Sequence, residues 1–194
     1  MIAWSDADVA ALGEGRVLVH DGVLGPHAAP AAAALEAMDA ASGPGRIRGR
    51  TGDVVRTDRI AWLDPVDAAP ALHPLLAWLD ALRETANEAA WLGLGRYELQ
   101  VACYEPGGGY APHVDAFHGR STRRLTAIWY GNPNWNLEDG GALRAWEPGG
   151  VVEIAPILDR AVVFLSQAVR HEVLPAIRRR RALTAWYRGK DDPA

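Results

Sequence analysis

The sequence predicts a mainly β domain with supporting helices, its core a double-sheet sandwich, barrel or jelly roll. Three observations carry that prediction. After Gly93 and Gly95 the chain breaks into short apolar or alternating runs separated by turn residues, at 97–104, 110–116, 123–130, 142–146, 151–154, 161–165, 169–174 and 180–188. Such spacing suits an antiparallel β core rather than alternating strand–helix units. Ahead of it Leu72, Leu75, Leu76, Leu79 and Leu82 recur at i, i+3, i+4 and i+7, the mark of an amphipathic helix with a sheet to cover. Finally, 194 residues suffice for one well-buried domain and are few for two. Residues 1–194 are therefore taken as one unit, with 1–95 a helical support and substrate-side loop and 96–190 the β core.

The elements follow in order. A short acidic helix spans about 6–12 and ends at Gly13. Arg16-Val-Leu-Val-His20 alternates weakly and meets Asp21-Gly22, which fits a short strand and turn. An alanine-rich helix follows Pro26 and runs to Ala41, stopped by Ser42-Gly-Pro-Gly45. Residues 46–57 are polar and basic, with Arg46, Arg48, Arg50 and Arg56, and read as a mobile loop that could close over a substrate. Ile60-Ala-Trp62-Leu63 is a short strand closed by Asp64-Pro65, and the leucine-patterned helix occupies about 69–92. Gly107-Gly-Gly109 lacks the strand–loop–helix context of a phosphate loop and is expected to be a flexible lip.

Composition narrows the function. A net charge of −4 leaves no nucleic-acid footprint. The single cysteine, Cys103, excludes an intramolecular disulfide framework and a Cys-rich zinc site, and fits a reducing, cytoplasmic setting. No basic-then-apolar leader opens the chain, and no apolar run approaches the roughly 20 residues that cross a bilayer. Neither nucleic acid nor membrane is an expected partner.

Chemistry concentrates in Tyr110-Ala-Pro-His113-Val-Asp115. On a strand, positions two apart share a face, so His113 and Asp115 point together. Imidazole and carboxylate are two of the three ligands of the 2-His-1-carboxylate triad of non-haem Fe(II) oxygenases. The missing histidine should lie on a returning strand. His20, His27 and His73 fall in N-terminal turns and a helix, where surface or cap roles suffice, and His118 falls in a loop. His171 instead follows the near-continuous apolar run Ala161-Val-Val-Phe-Leu165 and opens a strand that can return beside His113. Glu172 then faces away. Of the arginines at 178–181, Arg180 alternates with Ala182, Thr184 and Trp186, whereas Arg181 alternates with Leu183 and Tyr187. One set faces between the sheets, and a guanidinium buried there needs an anionic partner. A bidentate ligand carboxylate is the natural one.

His113-X-Asp115 followed by His171 and, nine positions on, Arg180 resembles the 2-oxoglutarate- and Fe(II)-dependent dioxygenases. More narrowly it resembles the prolyl 4-hydroxylases, in the branch of the oxygen-sensing prolyl hydroxylases and their bacterial relatives. Val101-Ala-Cys-Tyr104-Glu-Pro-Gly, Gly109-Tyr110, Ile128-Trp-Tyr130, Gly140-Gly-Ala-Leu-Arg144, His171-Glu-Val and Leu183-Thr-Ala-Trp-Tyr187 have counterparts there. Arg56-Thr-Asp-Arg-Ile-Ala-Trp62 resembles the family's Arg-Gly-Asp-Lys segment, so the likeness covers roughly 15–190. Two departures stand out: 46–57 is shorter than the substrate-covering loop of the animal enzymes, and Trp129 stands where they have tyrosine.

The resemblance implies a double-stranded β-helix and a set of roles. His113, Asp115 and His171 would hold Fe(II), leaving positions for 2-oxoglutarate and O2, with ascorbate as reductant. An aspartate at 115 favours hydroxylation over halogenation. Arg180 and Tyr130 would hold the 5-carboxylate of 2-oxoglutarate, with Thr184 at the same end and Tyr104 near the metal-bound end. Tyr110 would rim the entrance, and Arg56, Asp58, Arg123, Arg144 and Trp186 are candidate substrate contacts. The implied reaction is hydroxylation of a prolyl residue in a protein or peptide, releasing succinate and CO2. The alternatives are hydroxylation of a free amino acid or natural product, and a cupin-like metal-binding or oxygen-sensing module without oxygenase activity.

Overall fold

The computed structural model describes residues 2–45, 56–116 and 122–190; most of the expected loop at 46–57, and His118, lie outside the described residues. Helix α1 (Asp6–Gly13) opens with a capping box, in which Asp8 N donates to Ser5 Oγ and Ser5 N donates to the Asp8 carboxylate. After β1 (Leu18–Asp21), helix α2 (Ala28–Ala37) buries Ala28, Ala31, Ala32 and Leu35, one stripe at helical spacing. Strand β2 (Gly43–Pro44) lies where only a helix stop was expected, and pairs with β3 (Arg59–Leu63). Helix α3 (His73–Ala90) is shorter than its apolar pattern. Pro70–Leu72 forms a single 3-10 turn before it, and Trp91 takes a left-handed φ of 56° after it.

Strands β4 (Leu94–Tyr104), β5 (Tyr110–His113), β6 (Arg123–Tyr130), β7 (Leu143–Glu147), β8 (Gly150–Ile154), β9 (Arg160–Leu165), β10 (Arg170–Val173) and β11 (Arg180–Gly189) match the eight expected runs to within three residues. They build a jelly roll of two antiparallel sheets. The larger has the order β1-β9-β6-β11-β4-β3-β2 and the smaller β5-β10-β7-β8. Alternation sorts the larger sheet's side chains. Leu183, Ala185 and Tyr187 join Leu75, Leu79 and Leu82 of α3 in one core, where the Tyr187 hydroxyl donates to Leu79 O at 2.8 Å. Ala182, Ile128 and Phe164 face the smaller sheet and form a second core. Each buried leucine of α3 contributes about 1.5–3 kcal/mol. Arg181, on the helix side, is held by Asp39 and Glu36.

Two expectations are corrected here, and one residue is added. The triple glycine is pinned rather than loose: Gly107 N donates to Ala176 O, Gly109 N donates to Thr57 Oγ1, and a Cβ on Gly109 would lie 2.7 Å from Val173 O. His20 is not a surface residue but packs edge-on against Trp78. Asp159, which no pattern flagged, clamps the N-terminal segment to the sheet. Its buried carboxylate accepts from Leu24 N (2.9 Å), Gly25 N (2.8 Å) and the indole N–H of Trp129 (3.1 Å). Asp159→Ala leaves three donors without an acceptor, so a loss of about 2–4 kcal/mol is expected in urea unfolding. A loss under about 1 kcal/mol would mean that water replaces the carboxylate.

Candidate metal centre and ligand pocket

His113 ends β5 and His171 sits opposite it on β10, the two being direct cross-strand partners with ring centroids 4.3 Å apart. Asp115 lies just past the strand, because its amide and that of Ala116 turn to donate to Ser166 O instead of continuing the ladder. The expected strand at 110–116 therefore stops at His113, yet the carboxylate still converges on the imidazoles. Asp115 Oδ1 lies 3.6 Å from His113 Nε2 and 3.8 Å from His171 Nε2, and one ligand atom from each residue falls within 4.8 Å of the others. That spacing could hold one metal ion.

The surroundings set the protonation. His113 Nδ1 is 2.8 Å from Ala111 O, and His171 Nδ1 is 3.1 Å from Val169 O. A carbonyl only accepts, so each Nδ1 carries a proton and each Nε2 is turned toward Asp115, the orientation that metal-ligating histidines need. Burial lowers the His171 pKa, outweighing the opposing pull of Asp115, and favours the neutral ligand form. For Asp115 burial acts to raise the pKa, but His171, His113 and the Thr126 hydroxyl together outweigh it and hold the carboxyl well below the usual range. Thr126 Oγ1 donates to Asp115 Oδ2 at 2.7 Å and shares a hydrogen bond with Ser166 Oγ at 2.9 Å. The sequence did not single out Thr126; its alternation with Ile128 and Tyr130 along β6 was the available signal.

A pocket of about 510 Å³ opens over the triad, between the sheets. At its inner end Arg180 is 2 % exposed, with Nε donating to Gly141 O at 2.8 Å. Among the described residues no carboxylate lies within ion-pairing distance of this guanidinium. Tyr104 and Tyr130 pack against it, with ring centroids 5.3 and 5.0 Å from Cζ. Burial raises both phenol pKa values, more than Arg180 lowers them, so both stay protonated. The Tyr130 hydroxyl is buried beside the guanidinium with no hydrogen-bond partner among the described residues; Tyr130 itself stands behind the pocket wall rather than in it. Thr184 lies on the wall between Arg180 and Trp186.

The outer end carries the remaining candidates. Arg56, Tyr110, Arg123 and Trp186 line the pocket. Arg123 stacks on the Trp186 ring at 3.9 Å and is held by Glu98. Asp58 stands behind Arg56, 2 % exposed and ion-paired to it, and does not line the pocket. Arg144 is also outside it. Alternation along β7 buries Leu143 and Ala145 and turns Arg144 to the outer face, where it pairs with Glu153 and Glu172. Gln100 and the exposed Trp62 line the mouth and were not singled out from the sequence. Cys103 points to the helix side, its thiol pushed up to about 12 chiefly by burial.

Residues 99–188 match the 2OG-Fe(II) oxygenase superfamily. The chain is 35% identical over 145 residues to the prolyl hydroxylase EGLN3 of Mus musculus, an alignment covering 69% of this chain and 59% of that protein. It thus spans only part of the curated relatives it matches. A solved Pseudomonas putida prolyl-4-hydroxylase is 34% identical, with a TM-score of 0.84 over 95% of this chain and 98% of that one. A Trichoplax adhaerens prolyl hydroxylase, solved with a peptide fragment of the hypoxia-inducible factor oxygen degradation domain, is 29% identical with a TM-score of 0.85, covering 94% and 87%.

Proposed function

The chain belongs to the 2OG-Fe(II) oxygenase superfamily, and from that premise we propose that it is a 2-oxoglutarate-dependent prolyl 4-hydroxylase acting on a protein or peptide. One observation carries the reading. The pocket has a metal-competent triad in its wall and, at its inner end, a buried guanidinium that no carboxylate among the described residues pairs, beside a phenol hydroxyl with no hydrogen-bond partner among them. A buried cation so placed requires an anion, and a dicarboxylate that also reaches the triad supplies one.

His113, Asp115 and His171 would hold Fe(II), and Arg180, assisted by Tyr130 and Thr184, would hold the 5-carboxylate of 2-oxoglutarate. Bound together with O2, these groups supply the oxidation of an unactivated C–H bond and release succinate and CO2, with ascorbate as the expected reductant. The chain's own contribution is placement. Thr126 fixes the free oxygen of Asp115, and the two backbone carbonyls fix the imidazole tautomers. Tyr104 keeps its proton and can donate near the metal end of the cosubstrate. The apolar wall from Ile128, Leu143, Val173 and Ala182 excludes water between the two ends. Trp62, exposed at the mouth with its ring centroid 5.9 Å from that of Trp186, offers an aromatic face to a chain entering from outside, which favours a polypeptide over a free amino acid.

The relatives support the same substrate class, since the Trichoplax enzyme was solved with a peptide. The unit is read as a single catalytic domain, because α1–α3 pack on the sheet that forms the pocket floor. A cytoplasmic location belongs to the same reading and rests on the lone buried thiol; no described helix is long and apolar enough to cross a membrane. The test is mass spectrometry of host-lysate proteins incubated with the enzyme, Fe(II), ascorbate and 2-oxoglutarate. A one-oxygen gain on a proline, absent with His113→Ala, is the expected result. Succinate without a modified proline would move the substrate to small molecules. Bound iron with neither would favour a metal-binding module.

A further inference from the structure

The two histidines of the triad are held in different ways, and the difference identifies a residue outside the ligand set. His171 is embedded in the core: its side chain is 4% exposed, it packs on Phe164 at 4.8 Å, and its strand pairs on both sides. His113 has 15% of its side chain exposed and ends a four-residue edge strand whose pairing with β10 is interrupted by a register shift. Its ring is fixed from one side by Tyr110, stacked at 3.7 Å between centroids and 18° between planes. Tyr110 is covered in turn by the Arg56 guanidinium at 4.8 Å.

Arg56 belongs to the larger sheet's side of the sandwich and is itself rigid. It makes a bidentate contact to the buried Asp58 and donates to Gln100 Oε1 at 3.2 Å. Backbone contacts repeat the connection. Arg56 forms an isolated bridge with Tyr110, and the Thr57 amide donates to Gly109 O at 3.1 Å while Gly109 N donates to Thr57 Oγ1 at 2.9 Å. The edge strand that carries His113 is thus bolted to the opposite sheet through this stack. Resting on the metal-centre reading above, we infer that Arg56, acting through Tyr110, is a positioning residue for the metal ligand His113. Its ion pair with Asp58 serves to aim it, which explains a buried acid that does not reach the pocket.

Metal affinity without substrate or cosubstrate separates this role from peptide contact. Mn(II) binding by calorimetry and the Co(II) visible spectrum would be recorded for the native chain, Arg56→Met, Tyr110→Leu and Tyr110→Phe. Tyr110→Leu leaves the Arg56–Asp58 pair intact and so guards against an unfolded Arg56→Met. Arg56→Met and Tyr110→Leu are expected to weaken Mn(II) binding about 10- to 100-fold, as loss of an outer-shell partner does, and to shift the Co(II) bands. Tyr110→Phe keeps the flat stack and stays within about twofold. Folded Tyr110→Leu with native affinity, or Tyr110→Phe as damaging as Tyr110→Leu, would overturn the inference alone. A native chain that takes up neither metal would overturn the metal centre with it.

Discussion

Alanine at position 171 is expected to abolish turnover while the fold persists. His171 is 3 % exposed, and its Nε2 faces Asp115 at 3.8 Å with the tautomer set by Val169 O. Removing it deletes one of three donors, and among the described residues no further ligating side chain is grouped with them, since Glu172 points outward to Arg144. Metal affinity should fall by more than the roughly 10- to 100-fold seen when only an outer partner is lost. The cavity left beside Phe164 costs about 1–3 kcal/mol, small against the roughly 5–15 kcal/mol of a typical domain. Circular dichroism close to native, lost Mn(II) binding and no succinate are the expected set. Glu172→Gln, the neighbour on the other face, should leave all three unchanged, because its half-buried contact with Arg144 lies outside the pocket and Arg144 keeps Glu153 as a partner. Native turnover in the His171 variant would remove that residue from the metal centre.

The convergence of His113, Asp115 and His171 was legible because it depends on strand periodicity and on sheet closure. His171 follows an apolar run that had to be a buried strand, and the structure sets β10 directly against β5. Arg180 and Arg181 separated for the same reason, one to the pocket and one to Asp39. What escaped had no periodic signature. Strand β2 is a glycine and a proline, residues that local propensity excludes from sheets, and it exists because β3 offers an edge. Asp58 and Arg144 looked alike in sequence, as charges near family motifs, but their partners decide their places, and those partners come from remote contacts or the strand's second face. Thr126, Ser166 and Asp159 are small polar residues whose roles arise only when strands far apart in sequence bring donor and acceptor together. Alternation therefore discloses which face a residue occupies, whereas tertiary hydrogen bonding decides what it does there.

That distinction is sharpest at Arg180, where stability and function should move in opposite directions. A guanidinium 2 % exposed with no described carboxylate partner is costly in the ligand-free chain, and its Nε bond to Gly141 O offsets only part of that cost. Arg180→Met keeps the length of the side chain and removes the charge, so the ligand-free variant should melt at or above the native temperature. In the proposed reading the same change removes the charge-assisted hydrogen bonds, of about 1.5–3 kcal/mol each, that would hold the cosubstrate carboxylate, so 2-oxoglutarate should bind more weakly, on the order of 100-fold or more. Thermal shift reads both effects at once. With Mn(II) present throughout, adding 2-oxoglutarate at about 100 times the native Kd should stabilise the native chain by about 2.7 kcal/mol and the variant by less than about 0.5 kcal/mol. Tyr130→Phe should show the same pattern more weakly, since it deletes one unpaired hydroxyl. The converse result, a variant that loses stability but keeps its full 2-oxoglutarate shift, would make Arg180 a structural residue held by Gly141 and the two tyrosine rings. A residue placed for a ligand destabilises its site until the ligand arrives; one placed for the fold does not.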